Sequence, residues 1–304
     1  MAQGASPGGI RQGRTAGAFH DGTGTASPET SRQRLTGNTE ASGARSGYLL
    51  DNGAREAPAR FAALSALFDP GTIRHLEACG VGRGWHCLEV GGGSGSIASW
   101  LADRVGPTGR VLATDIDPRF LEPLKLLNLE VCRHDIAADP LPQAAFDLVH
   151  ARLVLMHLPE RERALARMIS ALKPGGWLVD EEYDSSSMLP DPALSPGEVL
   201  LPTQLAMLRL LEDCGVDRLY GRLLFGRLRA HGLVSIGGEA RAFMWQHGSP
   251  GASLVRATYE LLRDAMVDSN YITPQQFEED IARLEDPDFL MPSPILWSAW
   301  GRRP

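Results

Sequence analysis

Residues 87–95, CLEVGGGSG, decide the fold of this chain of 304 residues. A short apolar run from Cys87 to Val90 is followed by a glycine-rich turn, and apolar residues at helical spacing begin again at Ile97. This order predicts a buried strand, a tight turn and a helix. In a doubly wound α/β sheet such a turn lies where the ligand binds, and glycine lets the backbone approach that ligand closely.

The same alternation continues along the chain. Further strands are predicted over residues 111–114, 129–132, 146–150, 177–179, 233–236 and 295–300. The helices between these strands predict right-handed crossovers and a parallel sheet. The last two strands are expected to form an antiparallel edge of this sheet, and a helical insertion is expected between them at about residues 250–290. Upstream, one helix is predicted after Pro58 and a second over residues 72–78. Capping boxes at residues 195–198 and 273–276 predict two helix starts.

The first 46 residues differ in composition from the rest. They are mainly Gly, Ser, Thr, Ala and Arg, with Ile10, Phe19 and Leu35 as the large apolar side chains. Such a segment buries too little surface to offset the entropy of ordering, so a disordered tail is predicted. The tail has five arginines and three acids, so the total charge of −7 leaves about −9 on the remaining chain. An acidic body argues against a nucleic-acid partner.

Composition excludes further classes of protein. With 43% hydrophobic and 22% charged residues, and no run of about 18 apolar residues, the chain is expected to be soluble and not to span a membrane. Its N-terminus lacks the pattern of a signal peptide, so a cytoplasmic location is expected. The four cysteines have no CxxC or CxxH spacing, so neither a metal site nor a disulfide framework is predicted.

The residues around the glycine turn bear on the kind of cofactor. A nicotinamide-binding turn needs Gly-x-Gly-x-x-Gly or Ala, and the last position here is Ser96. Asp115, twenty residues past Gly95, suits a ribose-binding acid at either kind of site. Glu89 precedes the glycines, and a carboxylate there favours an ammonium or sulfonium ligand over a phosphate. Asp135 follows the third strand, where it could grip an adenine edge.

From about residue 48 to residue 304 the chain resembles a class I S-adenosylmethionine-dependent methyltransferase of the small-molecule type common in actinobacteria. The resemblance rests on Glu89, the GxGxG turn, Asp115, the Phe146-Asp147 pair and LKPGG at residues 172–176, in the family's order. It implies an α/β fold with a Rossmann-like, doubly wound seven-stranded sheet of order 3-2-1-4-5-7-6, strand seven being antiparallel.

The resemblance also implies N-terminal lid helices and a helical substrate-cap insertion. The expected layout is the tail over residues 1–46 and a methyltransferase domain over residues 47–304. Within that domain, residues 47–80 would form the lid helices, residues 81–184 the cofactor-binding core, and residues 185–304 the cap elements with the last two strands.

The resemblance implies contacts between S-adenosylmethionine and ten residues, namely Glu89, Gly91, Gly93, Gly95, Asp115, Ile116, Asp135, Ile136, Arg152 and Leu153. The three glycines would lie under the aminocarboxypropyl arm, with Glu89 near its ammonium. Asp115 would take the ribose hydroxyls, Asp135 the adenine N6, and the two isoleucines the faces of the adenine ring. Arg152 and Leu153 would line the methyl donor; the alternative for Arg152 is a solvent-facing cap.

Methyl transfer is a displacement at an already activated carbon, so the protein must position the acceptor and, where needed, remove its proton. His157 is the predicted base, because residues 152–158 resemble the segment after strand four in phosphoethanolamine methyltransferases. The histidine of those enzymes matches His157 and partners a tyrosine that Tyr48 would match, while Leu153 stands where they have an aspartate. The alternative for His157 is a helix-capping role.

The acidic run DEEYD at residues 180–184 is expected at the end of the fifth strand. Glu182 could there recognise a cationic substrate, the alternative being a solvated rim. Trp245 and Tyr259 lie in or near the helical insertion and could stack on a substrate or form a plain core.

The predicted function is therefore methyl transfer from S-adenosylmethionine to an O, N or C atom of a small molecule, such as a secondary metabolite, releasing S-adenosylhomocysteine. The expected partner is that small molecule, with no nucleic acid or membrane, and the protein is expected to be a monomer or homodimer. The alternatives are a cyclase or decarboxylase that uses the same cofactor, a non-catalytic binding protein on the same fold, and a nicotinamide dehydrogenase.

Overall fold

A seven-stranded sheet lies at the centre of the structure, a computed structural model that describes residues 49–188 and 202–304. The strands in chain order are β1 (His86–Val90), β2 (Arg110–Asp115), β3 (Leu129–Arg133), β4 (Phe146–Arg152), β5 (Leu172–Asp184), β6 (Val234–Arg241), β7 (Met244–Gln246), β8 (Leu290–Pro292) and β9 (Ile295–Arg302). β7 and β8 pair separately from the others. Tyr48, the predicted tail over residues 1–46 and the predicted helix start at residues 195–198 lie outside the described residues.

The order of strands in the large sheet is β3-β2-β1-β4-β5-β9-β6. The first five run parallel, whereas β9 is antiparallel to both β5 and β6. Because β9 is the seventh strand of this sheet along the chain, the predicted order 3-2-1-4-5-7-6 with an antiparallel seventh strand is confirmed. The carboxyl ends of β1, β2 and β4 therefore meet at one edge, where a doubly wound sheet binds its ligand.

Residues 49–188 and 202–304 contain seven α-helices. They are α1 (Ala57–Ala78), α2 (Ser96–Val105), α3 (Arg161–Ala171), α4 (Pro202–Asp213), α5 (Leu224–Ala230), α6 (Pro250–Asp268) and α7 (Pro274–Arg283). α2 and the end of α1 pack on one face of the sheet, and α3 and α5 pack on the other. No helix of this described part is long and apolar enough to cross a membrane.

The remaining helices form a second layer, the helical cap, which consists of α4, α6, α7 and the β7–β8 pair. Their apolar side chains pack in one cluster with the first half of α1, through residues such as Phe68, Tyr259 and Phe277. The predicted capping box at the start of α7 is present, with Thr273 and Gln276 bonded reciprocally. The predicted helical insertion between β6 and β9 is thus found as α6 and α7.

The segment before β1 differs from its prediction, because α1 is one continuous helix where two were expected. Pro70 lies inside it and removes a backbone donor, a cost of about 3 kcal/mol in a helix interior. Tertiary contacts on both sides offset this cost, since Phe68 and Leu76 are buried and the Thr72 hydroxyl donates to Glu181. The expected lid helices are therefore a single helix, α1.

The strand β5 is also longer than predicted. It runs from Leu172 through Asp184 because β9 pairs with it continuously from Trp177 to Asp184. The acidic run at residues 180–184 consequently lies inside the sheet. Asp180, Glu181 and Glu182 are each 0% exposed, so the interpretation of this run as a solvated rim is wrong.

Candidate functional site

The glycine turn between β1 and α2 is shaped so that only glycine fits. Gly91, Gly93 and Gly95 have positive φ angles of 65°, 51° and 80°. A Cβ at Gly91 would lie 2.4 Å from a methyl of Val154, and one at Gly93 would lie 2.8 Å from the ring of Phe61. The turn therefore presents bare backbone to the space beneath α1, as a cofactor arm would require.

The carboxylate of Asp115, at the end of β2, is bonded to this turn. Its Oδ2 accepts from the Gly93 N–H at 3.0 Å and its Oδ1 from the Asp117 N–H at 2.9 Å. Asp115 is 8% exposed, and burial raises its pKa against the effect of these backbone bonds. Each oxygen has a second lone pair, so the carboxylate can accept from two further donors such as ribose hydroxyls.

The residues predicted to hold an adenine ring follow β2 and β3. Ile116 is 46% exposed, so it offers an open apolar surface. Asp135 is half-buried, and its Oδ1 accepts from the Ala137 N–H at 2.8 Å, which fixes the loop after β3. Ile136 is buried in the core beside α3. The arrangement leaves Ile116 and Asp135 accessible at the sheet edge, and a contact between Ile136 and the adenine stays a prediction.

The segment that ends in α1 covers the turn. The Asn52 side chain donates to the Asp117 carbonyl at 3.1 Å, and the Ser65 hydroxyl to Ser96 at 3.1 Å. The rings of Phe61 and Phe120 meet edge to face with centroids 5.2 Å apart. These contacts join the N-terminal segment to both sides of the glycine turn, and a role of this segment as a lid stays a prediction.

Glu89 lies within a chain of buried charges that crosses the sheet. Its Oε2 is 2.7 Å from His150 Nδ1, and His150 Nε2 is 3.7 Å from Glu181 Oε2. Burial lowers the pKa of His150, but the two carboxylates outweigh burial and raise this pKa to about 9. The imidazole is therefore a buried cation at neutral pH, held between two carboxylates.

Glu181 joins this network to α1 and β9. It accepts from the Thr72 hydroxyl, the Ser298 hydroxyl at 2.5 Å and His75 Nδ1 at 3.2 Å. Burial would raise the pKa of Glu181, yet the bonds from His150 and His75 hold it well below its ordinary value. The carboxylate is thus ionised and buried, and its partners stabilise it there.

Arg152 also belongs to this network. Its Nη1 donates to the Thr72 hydroxyl at 2.9 Å and its Nη2 to Asp69 at 2.8 Å. The side chain therefore points back to α1, and the alternative of a solvent-facing cap is wrong. Whether Arg152 also lines the methyl donor stays a prediction.

Glu182 points to the other face of β5. Its Oε1 accepts from the N–H groups of Val154 and Leu155 at 3.0 and 2.6 Å. Leu153, just before them, has a φ of 57°, which is unusual for a residue other than glycine. Glu182 therefore holds a strained turn after β4, and burial raises its pKa well above the ordinary value. Glu182 is 0% exposed, and its recognition of a cationic substrate stays a prediction.

His157, the predicted base, ends the short 3₁₀ turn Leu155–His157 and is half-buried. Burial and the nearby charge of Arg60 lower its pKa to about 4. The unperturbed pKa of a histidine is about 6.5. At neutral pH His157 is therefore unprotonated and able to accept a proton, but it is a weaker base than expected. Its predicted partner Tyr48 lies outside the described residues.

Trp245 and Tyr259, the other predicted substrate contacts, are buried in the helical cap. The indole of Trp245 packs directly on the backbone of Gly251, and both aromatic side chains belong to the apolar cluster of the cap. This position matches the alternative of a plain core. The structure thus brings together the residues of the glycine turn, Asp115 and the segment after β4, but not these two.

Sequence reasoning missed two charged side chains at the site. Glu181 was part of an acidic run that gave no sign of burial, because its partners are distant along the chain. Arg60 was not singled out at all, since an arginine near the start of an amphipathic helix is ordinarily exposed. It is only 5% exposed here.

Comparisons with known proteins agree with this geometry. A family profile described as a methyltransferase domain matches residues 88–180. The methyltransferase str2 of Strobilurus tenacellus is 33% identical over 51% of this chain and 55% of its own length. The ubiquinone/menaquinone biosynthesis C-methyltransferase UbiE of Bordetella parapertussis is 30% identical over 59% of this chain and 83% of its own length. The match thus spans little more than half of some curated relatives.

A solved structure shares the fold. Phosphoethanolamine N-methyltransferase 2 of Haemonchus contortus, in complex with phosphomonomethylethanolamine and S-adenosylhomocysteine, superposes with a TM-score of 0.52. The superposition covers 84% of this chain and 59% of that chain at 14% sequence identity. At this identity the likeness concerns the arrangement of helices and strands alone.

Proposed function

This chain belongs to the class I S-adenosylmethionine-dependent methyltransferases, and we propose that it transfers a methyl group to a small-molecule acceptor. The observation that carries the proposal is the bond between Asp115 and the Gly93 N–H. It joins the strand-ending acid to the glycine turn at the edge where a doubly wound sheet binds its ligand.

The residues present fit the cofactor of this family. The positive φ angles at Gly91, Gly93 and Gly95, and the close approach of Val154 and Phe61 to the first two, require a turn without side chains. Asp115 keeps acceptor capacity for hydroxyl groups, and Ile116 offers an exposed apolar surface to a flat ring. The carboxylate of Asp115 favours a ligand that carries positive charge, whereas that of Glu89 is paired with the His150 cation. When bound, S-adenosylmethionine supplies an electrophilic methyl group.

The chain's own residues would do the remaining work of the reaction. The cover formed by α1 limits the access of water to the glycine turn, which strengthens electrostatic interactions beneath it. The turn after β4, held by Glu182, fixes the backbone of Leu153 beside the cleft. The unprotonated imidazole of His157 can take a proton from an acceptor hydroxyl or amine. Positioning is the larger contribution, because the methyl donor is already activated.

The net charge of the protein and the position of α1 over the glycine turn both support a small acceptor. The net charge of −7 disfavours a nucleic-acid acceptor. Because α1 covers the glycine turn, a large macromolecule would have to displace it to reach the methyl donor. The name of one relative places that protein in ubiquinone and menaquinone biosynthesis, which concerns small molecules. The acceptor atom is O, N or C, as in a secondary metabolite.

The test uses S-adenosylmethionine with a deuterated methyl group and extracts separated into small molecules, protein and nucleic acid. The proposal predicts label in the small-molecule fraction with the wild-type protein and at least about tenfold less with Asp115→Ala when the cofactor is below saturation. Asp117→Ala is the matched control, because its backbone N–H still serves Asp115. Label in the protein or nucleic-acid fraction would contradict the proposal. Consumption of a substrate without gain of label would indicate a cyclase or decarboxylase.

A further inference from the structure

Arg60 on α1 is a buried cation without a counter-ion in the described part of the chain. It is 5% exposed, and its Nε and Nη2 make no hydrogen bond there. Within residues 49–188 and 202–304 no carboxylate pairs with it. The guanidinium of arginine is a planar, delocalised cation with five N–H donors and no acceptor. Burying an unpaired charge is costly, and such a group marks a place where a ligand supplies the missing partner.

The neighbours of Arg60 place it beside the proposed methyl-transfer site. Its guanidinium carbon lies 4.9 Å from the ring centroid of Phe61, the residue that contacts Gly93 of the glycine turn. Its charge acts on His157 after β4 and on Tyr183 in β5. Residues of the segment after β4 and of β5 therefore lie within electrostatic range of this one positive charge on α1.

Tyr183 adds a second unsatisfied donor. Its hydroxyl is buried and has no hydrogen-bond partner among the described residues, and its ring meets Phe68 with centroids 5.8 Å apart. Burial raises the pKa of Tyr183 against the charges of Arg152 and Arg60, so the hydroxyl keeps its proton. Buried hydroxyl groups ordinarily find partners, which makes an unpaired one beside an unpaired guanidinium informative.

The two unpaired nitrogens of Arg60 define the chemistry of the missing ligand. Nε and Nη2 form one edge of the guanidinium, which binds two oxygens of a carboxylate or phosphate through parallel hydrogen bonds. We propose that Arg60 and Tyr183 form an anion-binding subsite for the methyl acceptor. The acceptor then carries a group with two anionic oxygens, which bonds to this edge of Arg60 and to the Tyr183 hydroxyl.

This inference rests on the proposed function, since it concerns the acceptor of the same site. The competing explanation is a counter-ion from this chain's own residues outside the described ranges, and the first experiment separates the two.

The first experiment measures thermal unfolding of the ligand-free protein. Arg60→Met keeps the length of the side chain and removes the charge, so we expect the melting temperature to rise by about 2 °C or more. Arg55→Met is the matched control, because Arg55 is exposed and precedes α1; its melting temperature should stay within about 1 °C. A fall in the melting temperature of Arg60→Met would show that the chain supplies the counter-ion, and would overturn the proposal.

The second experiment measures binding of anions to protein saturated with S-adenosylhomocysteine. Benzoate and inorganic phosphate are compared with neutral benzamide by their effect on the melting temperature. We expect at least one anion to stabilise the wild type more than benzamide does, and Arg60→Met to lose that difference. If neither anion exceeds benzamide, or if Arg60→Met responds as the wild type does, the proposal is overturned. The two anions distinguish a carboxylate acceptor from a phosphorylated one.

A third measurement separates this inference from the proposed function. With an acceptor from the labelled small-molecule fraction, Arg60→Met should raise KM at least about 30-fold, while its affinity for S-adenosylhomocysteine stays within about threefold. Tyr183→Phe should raise KM by a smaller factor. If the wild type methylates a small molecule and Arg60→Met does so with unchanged KM, the subsite is refuted and the proposed function stands. If the wild type fails to bind S-adenosylhomocysteine, the proposed function itself fails.

Discussion

Replacing His150 by glutamine should destabilise the protein in a strongly pH-dependent way. His150 is fully buried, and the carboxylates of Glu89 and Glu181 raise its pKa from 6.5 to about 9. A histidine whose pKa is raised on folding stabilises the folded state fully below its unfolded pKa, and this stability is lost as pH rises through the folded pKa. The stability that the charge of His150 contributes is therefore lost as pH rises from 6.5 to about 9.

The expected loss of stability follows from the unfolded and folded pKa values of His150. At about 1.4 kcal/mol for each pH unit, the interval from 6.5 to about 9 corresponds to about 3 kcal/mol. Glutamine can still donate to Glu89 but carries no charge. We therefore expect His150→Gln to lower the free energy of unfolding by about 3 kcal/mol below pH 6.5, and by much less above pH 9.

The assay is urea unfolding followed by tryptophan fluorescence at a series of pH values from about 6 to 9.5. The matched control is His86→Gln, which changes a half-buried histidine at the first residue of β1. A free-energy difference between His150→Gln and the wild type that is constant with pH, or that grows as pH rises, would refute the reasoning.

Two further predictions concern residues that were candidates from the sequence. Tyr259→Phe should leave the free energy of unfolding within about 0.5 kcal/mol of the wild type or raise it, because the buried hydroxyl has no hydrogen-bond partner among the described residues; a loss of about 2 kcal/mol in urea unfolding would show a missing bond. His157→Ala should lower kcat about 100-fold for an acceptor that must lose a proton, with unchanged cofactor affinity. Steady-state kinetics that show full kcat from about pH 6 to 9 would make His157 structural.

The strand order, and the edge of the sheet where the cofactor is proposed to bind, could be predicted from the sequence because the motifs that indicate them lie next to the strands. The glycine turn, Asp115 and the LKPGG motif each follow or precede a strand directly, and the spacing of apolar residues gives the helices between them. The continuity of α1 could not be predicted. Pro70 ordinarily ends or kinks a helix, and the contacts that hold this helix together come from β5 and the cap.

The burial of Glu181 depends on partners that are far away along the chain. Thr72, His75 and Ser298 are 109, 106 and 117 residues from it in sequence. No periodicity within the acidic run indicates such partners, and a run of acids is ordinarily solvated. The burial of Arg60 could not be predicted for the same reason, because the residues near it belong to the segment after β4 and to β5.

Calorimetric titration of S-adenosylhomocysteine tests the central claim, that Asp115 and the glycine turn hold the cofactor of this family. The account predicts one binding site per wild-type chain. Asp115→Ala should weaken binding by about 1.5–3 kcal/mol, because the ribose hydroxyls would lose a charged acceptor. Asp117→Ala should bind as the wild type does, within about threefold. An unchanged affinity in Asp115→Ala, or the absence of binding to the wild type, would contradict the account.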